Sequence, residues 1–144
     1  MIKGLFNSGA LPVLERVIQF TEQRQKVLAH NVANLSTPYF KPVDVDPRGF
    51  QAALGEAIDR RRSTVLPNSG ELRLENTSEI HFTRDGLSLE PARLNEGILF
   101  HDENNRDLER LMQDVAENAM AHNMAVELMR SEIAVIESAI REQV

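Results

Sequence analysis

The chain contains no cysteine, and only one tyrosine and six phenylalanines provide aromatic side chains among its 144 residues. The absence of cysteine excludes disulfide bonds, thiolate catalysis and zinc sites with cysteine ligands. It fits a reducing or an oxidising compartment equally well. The scarcity of aromatic residues predicts a core made of aliphatic side chains and methionine.

The sequence also lacks a long apolar run, a recognisable signal sequence and an excess of positive charge. No stretch of about 18 apolar residues is present, so no transmembrane helix is predicted. The opening residues, MIKGLFNSGALPVLERV, are interrupted by glycine and polar residues, so we expect any export to proceed without a cleaved signal peptide. A net charge of −6 argues against general nucleic-acid binding.

Glycine and proline divide the chain into three parts, because these residues most strongly interrupt regular structure. Five of the six prolines and five of the seven glycines lie between Pro38 and Gly97. We therefore predict an N-terminal helix with its motif over residues 1–42, an irregular middle segment over 43–100, and a long C-terminal helix within 101–144. The expected fold is mainly α, with both terminal helices packed as one coiled-coil-like bundle and a middle segment that could hold a short β-hairpin.

The first helix is predicted from about Leu11 to Asn34. Its inward positions recur at alternating steps of four and three residues, which is the spacing of a heptad seam. The seam consists of Leu14, Ile18, Thr21, Gln25, Leu28, Val32 and Leu35. Thr21 and Gln25 are polar gaps in this seam.

The last helix is predicted from about Arg106 to Glu142, and its length indicates a coiled coil rather than an ordinary globular helix. The same four-three spacing selects Leu108, Met112, Val115, Ala119, His122, Val126, Met129, Ile133, Ile136 and Ile140. His122 is the one polar member, and we interpret it as a packed, register-setting residue rather than a metal ligand.

The middle segment is predicted to contain loops and short strands. The stretches DVDPRGF, DRRRS and LPNSGE are interpreted as loops, whereas ELRLE, EIHFT and GLSLE alternate apolar and polar residues as half-buried strands do. Asp85-Gly86 between two of these stretches is a hairpin-turn signal.

The last helix carries more apolar surface than one neighbouring helix would cover. In NAMAHNMAVELM the apolar residues spread well beyond a narrow seam, and four of the five methionines lie in this helix. Such a belt predicts contacts with helices of other copies or other proteins. The alternative is that the middle segment folds back and covers it.

No catalytic or metal-binding motif is evident. The four histidines are scattered, and the His101-Asp102-Glu103 run is interpreted as a solvated loop rather than a metal site. The basic run Arg60 to Arg62 is likewise interpreted as a solvated loop rather than a phosphate clamp. We expect no enzyme activity, no cofactor and no metal.

The stretch HNVANLSTPYFKP, from His30 to Pro42, ends the first helix. Asn31 and Asn34 lie three residues apart on one face and could satisfy backbone groups at the helix end. Pro38 enforces extended backbone before it, and Tyr39 and Phe40 could pack back on the helices. On this evidence alone an ordinary helix-to-loop junction is an equally good interpretation.

Within it, NVANLSTPYFK resembles the N-terminal signature of bacterial flagellar rod and hook proteins, N-x-A-N-x-x-T-P-G-Y-K. The matching positions are Asn31, Ala33, Asn34, Thr37, Pro38 and Lys41. The segments LFNSGALPVLERVIQFTEQRQKVLAHNVANLSTP and NNRDLERLMQDVAENAMAHNMAVELMRSEIAVIESAIR resemble the proximal rod subunits of that family.

The chain departs from the family pattern at two places. Tyr39 and Phe40 stand where the signature has glycine and tyrosine, and Glu103 replaces a glycine before the last helix. Since that first glycine usually permits a positive φ, the detailed conformation of its turn is not carried over.

The resemblance implies a structural subunit of the flagellar basal body, exported by the flagellar type III apparatus and assembled into a helical tube that spans the periplasm. The implied partners are other copies of the chain, other rod proteins, the ring–rod adaptor protein, the membrane ring and the export gate. No nucleic acid or small-molecule substrate is implied. The expected assembly residues are the signature positions, including Tyr39 and Phe40, together with the apolar members of both helical seams other than Leu35. The rival interpretation is a soluble cytoplasmic helical adaptor or export chaperone that binds client helices with the same surface.

Overall fold

The computed structural model describes residues 9–64, 69, 72–83, 86–93 and 108–142. Its elements are helix α1 (Leu11–Asn34), strand β1 (Val43–Asp44), helix α2 (Pro47–Arg62), strands β2 (Ile80–Thr83), β3 (Gly86–Leu89) and β4 (Ala92–Arg93), and helix α3 (Leu108–Glu142). The predicted fold class is confirmed. The chain is mainly helical, its terminal helices pack together, and short strand pairs lie in the middle segment.

Helices α1 and α3 form an antiparallel hairpin. Thr21 contacts His122 and Gln25 contacts Asn118, so sequence numbers rise along one helix as they fall along the other. Helix α3 has 35 residues against 24 in α1, and its last turns therefore extend beyond the start of α1. The bounds of α1 agree with the predicted ones. The predicted start of α3 at Arg106 lies outside the described residues.

Helix α2 is a correction to the sequence analysis, which interpreted DVDPRGF and DRRRS as loops. The Asp46 side chain accepts hydrogen bonds from the backbone N–H groups of Arg48 and Gly49, and Pro47 occupies the first helical turn. This is the preferred chemistry of a helix start. The basic run Arg60 to Arg62 lies in the last turn, where positive charge is favoured by the helix dipole.

The predicted hairpin of EIHFT and GLSLE is confirmed. Strands β2 and β3 pair antiparallel with Ile80 opposite Leu89 and Phe82 opposite Leu87. The turn residues Arg84 and Asp85 lie outside the described residues, as do most of LPNSGE and all of His101 to Glu103. The interpretation of ELRLE as a strand is wrong for its described part, where Leu72 is buried without strand pairing.

The main hydrophobic core lies between α1 and the middle segment. It consists of Phe20, Val45, Phe50, Leu54, Ala57, Leu72, Ile80 and Leu87. The rings of Phe20 and Phe50 stack in parallel with centroids 4.1 Å apart. The middle segment thus folds back on α1, and it leaves the apolar belt of α3 exposed. Within the described ranges, no helix combines the length and the apolarity needed to cross a membrane.

Candidate assembly surface

The polar gaps of the α1 seam contact polar side chains of α3 in the hairpin. The Asn118 side chain, which is buried, donates to the Thr21 carbonyl oxygen at 2.9 Å and to Gln25 Oε1 at 2.8 Å. His122 Nδ1 lies 2.9 Å from Thr21 Oγ1. A buried polar group is costly unless its hydrogen bonds are made. These contacts therefore favour one register of α1 on α3, and half-buried His122 contributes to that register.

The Thr21 hydroxyl lies close to two carbonyl oxygens of its own helix as well as to His122. Thr21 Oγ1 lies 2.9 Å from the Val17 carbonyl oxygen and 3.0 Å from that of Ile18. Carbonyl oxygens only accept, and a hydroxyl has one hydrogen to donate. The arrangement in which Thr21 donates to an α1 carbonyl and accepts from His122 Nδ1–H brings no two acceptors together.

A buried arginine ties both terminal helices to strand β1. Arg24 Nε and Nη2 donate to Asp44 Oδ1 and Oδ2 at 3.0 and 2.6 Å, a bidentate geometry that gives strong, directional pairing. Asp114 of α3 lies 3.8 Å from Arg24 Nη2. Burial raises the pKa of Asp114 above its usual value, and Asp44 and Glu117 reinforce this, while Arg24 and Arg110 oppose it. Asp114 is thus the weaker partner of the arginine.

Asn31 of the signature is wholly buried and holds the chain that follows the helix. Its Nδ2 donates to the Val43 carbonyl oxygen at 2.6 Å, and its Oδ1 accepts from the Val43 N–H at 3.2 Å. One amide thus satisfies both backbone groups of a β1 residue. These two hydrogen bonds hold strand β1 beside α1. The prediction from the sequence was instead that Asn31 satisfies backbone groups at the end of the helix.

Asn34 acts within the last turn of α1. Its Nδ2 donates to the His30 carbonyl oxygen at 2.9 Å, and its Oδ1 accepts from Thr37 Oγ1 at 3.5 Å. The His30 carbonyl lies just before the last four carbonyls of the helix, which are the ones that a helix end leaves without an intrahelical partner, so the capping role of Asn34 stays a prediction. Asn34 is only half-buried, whereas Asn31 is fully enclosed.

The turn after α1 keeps a positive φ although glycine is absent. The Phe40 N–H donates to the Thr37 carbonyl oxygen at 3.2 Å, and Tyr39 between them has φ of 59°. Proline at the second position and positive φ at the third describe a type II turn, in which the third residue is normally glycine. The side chain of Tyr39 is exposed, contrary to the expectation that it packs back on the helices. Phe40 does pack back, edge-on against His30 with ring centroids 5.7 Å apart.

The remaining signature residues form an exposed patch around the end of α1. Ala33, Thr37, Pro38, Tyr39 and Lys41 all face solvent in the single chain.

The predicted seam of α1 is buried over most of its length. Leu14 and Leu28 are buried, Ile18 is half-buried, and Val32 near the helix end is exposed. The helix therefore presents the predicted face to its neighbours within the chain.

The predicted seam of α3 lies beside the face that the hairpin buries. The fully buried residues of α3 are Leu111, Asn118 and Ala125, which are spaced by seven and were not selected from the sequence. Asn118 was missed because a buried asparagine is not apparent from apolar periodicity, although the heptad spacing of these positions was available. Of the predicted seam, Val115, Ala119, Val126, Met129 and Ile136 are half-buried, and Leu108, Met112, Ile133 and Ile140 are exposed.

Two surfaces in the described part of the hairpin are candidate contacts with other proteins. The first is the methionine stripe, formed by Met120, Met124 and Leu128 with exposed fractions of 73%, 67% and 51%. The second is the α1–α3 groove, with a volume of about 360 Å³ and mainly apolar walls. The groove is lined by Thr21, Glu22, Gln25, Lys26, Ala29, Asn118, Ala119, His122 and Asn123. Large exposed apolar surfaces mark sites of protein association.

In the described part of the chain, no group of three or more histidine and carboxylate side chains is placed to hold a metal ion.

The basic run Arg60 to Arg62 is also accounted for by the fold. Arg61 is buried and its Nη1 donates to the Gly9 carbonyl oxygen at 3.0 Å, while Arg60 pairs with Glu75.

Comparison with known proteins agrees with these features. No family model matches the chain. A flagellar basal body rod protein FlgB of Borrelia hermsii is 29% identical over 119 residues, which cover 80% of this chain and 83% of that protein. The protein of the same name from Escherichia coli strain K12 is 28% identical over 128 residues, covering 87% and 88%. That from Yersinia ruckeri is 24% identical over 141 residues, covering 93% and 95%.

These similarities span both terminal helices and the middle segment, and the matched proteins share one name. Together with the signature at the end of α1 and the long C-terminal helix, they confirm the resemblance of this chain to the rod proteins of the bacterial flagellar basal body.

Proposed function

We propose that the chain is a structural subunit of the proximal part of the flagellar basal-body rod. It would associate with copies of itself and with other rod proteins through its terminal helices, and the helical tube so formed would transmit torque and enclose the export channel. The observation that carries this proposal is the α1–α3 hairpin, which packs the two terminal helices together and leaves apolar surface on α3 exposed.

The internal contacts of the hairpin suit a subunit that bears load. The polar pairs Thr21–His122 and Gln25–Asn118 oppose sliding of one helix along the other, because any shift leaves buried polar groups without partners. The Arg24–Asp44 ion pair and the Asn31–Val43 contacts fasten the middle segment to the same helix. Torque applied to α3 would therefore reach the middle segment through defined contacts.

The exposed surfaces suit several neighbours. Copies of the chain and other rod proteins would cover the apolar surface of α3, while the ring–rod adaptor protein, the membrane ring and the export gate would contact the base of the assembly. The patch at the end of α1 is a second candidate contact, because its exposed residues adjoin a hydrogen-bonded turn. The subunit would reach this position in the periplasm through the flagellar export apparatus without loss of a signal peptide.

The test is to purify basal bodies from cells that make the chain and from a strain that lacks its gene. The proposal expects the chain in detergent-resistant basal bodies and expects the deletion strain to lack rods. Recovery of the chain only from the soluble cytoplasmic fraction, with rods intact in the deletion strain, would contradict the proposal and favour a cytoplasmic adaptor or export chaperone.

A further inference from the structure

Resting on the proposed rod function, we propose that Met120 and Met124 form a reversible oxidation site, at which hydrogen peroxide converts the two thioethers to sulfoxides while the chain is unassembled. The oxidised chain is excluded from assembly, because the methionine stripe then carries polar groups. The modification is a two-electron oxidation of sulfur, and its substrate is the side chain of methionine itself.

The two thioethers are the most accessible ones in the described part of the chain. Met120 and Met124 are 73% and 67% exposed, whereas Met112 is 43% exposed and Met129 is half-buried. Residues four apart lie on one face of a helix, so both sulfur atoms belong to the same surface of α3. The chain has no cysteine, and therefore no thiol of its own competes for the oxidant.

Acidic side chains border this site and determine which oxidants approach it. Glu117 precedes Met120 by three residues and is exposed on the same side of the helix. Glu127 follows Met124 by three residues, and its Oε1 pairs with Arg130 Nη1 at 2.8 Å. The carboxylates repel anionic oxidants, but they do not repel a neutral molecule such as hydrogen peroxide.

The oxidation is balanced without a further reactant. A lone pair of the thioether sulfur attacks one oxygen of hydrogen peroxide, and the O–O bond breaks as the S–O bond forms. The oxygen now bound to sulfur gives its proton to the departing hydroxide, so the products are one sulfoxide and one water. Sulfur loses two electrons and the peroxide gains them. Methionine sulfoxide reductases reverse the change.

Oxidation changes the surface of α3 more than it changes the fold. A sulfoxide turns a flexible apolar side chain into a polar one. On the free chain water hydrates the new oxygen, because both residues are exposed. An assembly that covers the stripe removes this water, and each sulfoxide then needs a new partner or remains uncompensated. The same cover protects the reduced thioethers from peroxide once the chain is assembled.

The first test treats the purified full chain with hydrogen peroxide and follows each methionine by mass spectrometry of its peptides. Met120 and Met124 should be converted at least roughly fivefold faster than the matched residue Met129, which is half-buried in the same helix. The thermal unfolding curve should be unchanged by oxidation, and methionine sulfoxide reductases should restore the original mass. Equal conversion of the three residues, or sulfoxides that the reductases leave in place, would overturn the site.

The second test places the oxidation in cells that build basal bodies. Hydrogen peroxide is added while the wild-type chain, the double variant Met120→Leu/Met124→Leu or the control Met129→Leu is being made. The wild type and the control should lose roughly fivefold or more of their recovery in basal bodies, the effect expected of an uncompensated polar group. The double variant should retain its recovery, because leucine has no sulfur to oxidise.

Equal losses for all three chains would refute the inference and leave the rod function standing. Absence of the wild-type chain from basal bodies of untreated cells would remove the rod function instead, and the conversion rates of the purified chain would still decide whether the oxidation site exists. Conversion of Met120 and Met124 in purified basal bodies as fast as in the free chain would overturn the protection by assembly.

Discussion

Replacing Asn31 should destabilise the fold far more than replacing Asn34, although both belong to the same signature. The Asn31 amide is wholly buried and makes two hydrogen bonds to Val43, at 2.6 and 3.2 Å. In Asn31→Ala the backbone N–H and carbonyl of Val43 lose these partners, and each unsatisfied group costs about 1–3 kcal/mol. Val43 is half-buried, so water could partly replace the amide. We expect a total loss of about 2–3 kcal/mol in the free energy of unfolding.

The assay is thermal or urea unfolding of the purified chain followed by circular dichroism, with Asn34→Ala as the matched control. A loss of this size lowers the melting temperature by roughly 6–12 °C for a chain of this length. Asn34 is half-buried and its amide donates to the carbonyl of its own helical turn, so its replacement should cost below about 1 kcal/mol. Equal losses in the two variants, or an Asn31→Ala loss as small as that of the control, would refute the assignment of Asn31 as the residue that fastens β1 to α1.

Three further predictions concern single side chains. Burial raises the pKa of Asp114 in the folded chain above the ordinary value of 3.8. The stability linked to this protonation is therefore complete at a pH below 3.8 and is lost as the pH rises through the folded-state pKa. Asp114→Asn should therefore gain stability relative to the wild type as the pH rises over that interval, and a constant difference in parallel melting curves would contradict this. At the positive φ of residue 39, Tyr39→Gly should exceed Tyr39→Ala in stability by about 1 kcal/mol, because only glycine adopts this φ without strain; an alanine variant that unfolds at equal or higher urea concentration would disprove the strain. Asp46→Ala removes the acceptor at the start of α2 and should cost about 1 kcal/mol, while Asp59→Ala, exposed in the same helix, should lie within about 0.5 kcal/mol of the wild type.

The terminal helices were predictable because their boundaries and periodicity carry strong local signals. The stretch from Val13 to Thr37, which contains no proline or glycine, and its four-three spacing predicted α1 from about Leu11 to Asn34, and the same spacing predicted α3 to about Glu142. The β2–β3 hairpin followed from alternation and from the Asp85-Gly86 pair. These signals act over a few residues and do not depend on distant contacts.

Helix α2 was missed because its start resembles a turn. Aspartate followed by proline occurs in turns, but it is also the pair that caps a helix and begins its first turn. The choice depends on Phe50 and Leu54, which are buried against α1. That burial is a tertiary contact, and the sequence of the segment alone does not contain it.

Apolar periodicity also did not predict which face of α3 is buried in the hairpin. Apolar spacing selected the helix face that contains Ala119. The hairpin instead buries the neighbouring face, which contains Leu111, Asn118 and Ala125. The buried asparagine is explained only by its partners on α1, Thr21 and Gln25. Similarly, Tyr39 adopts the conformation that usually requires glycine, because the turn between α1 and β1 is held at both ends.

The most direct test of the account is electron cryo-microscopy of basal bodies purified from cells that naturally make the chain. The account predicts that density in the proximal rod contains the α1–α3 hairpin in the antiparallel register defined by Thr21 with His122 and Gln25 with Asn118. A proximal rod whose density is fully explained by other proteins, with no such hairpin of this chain, would contradict the account.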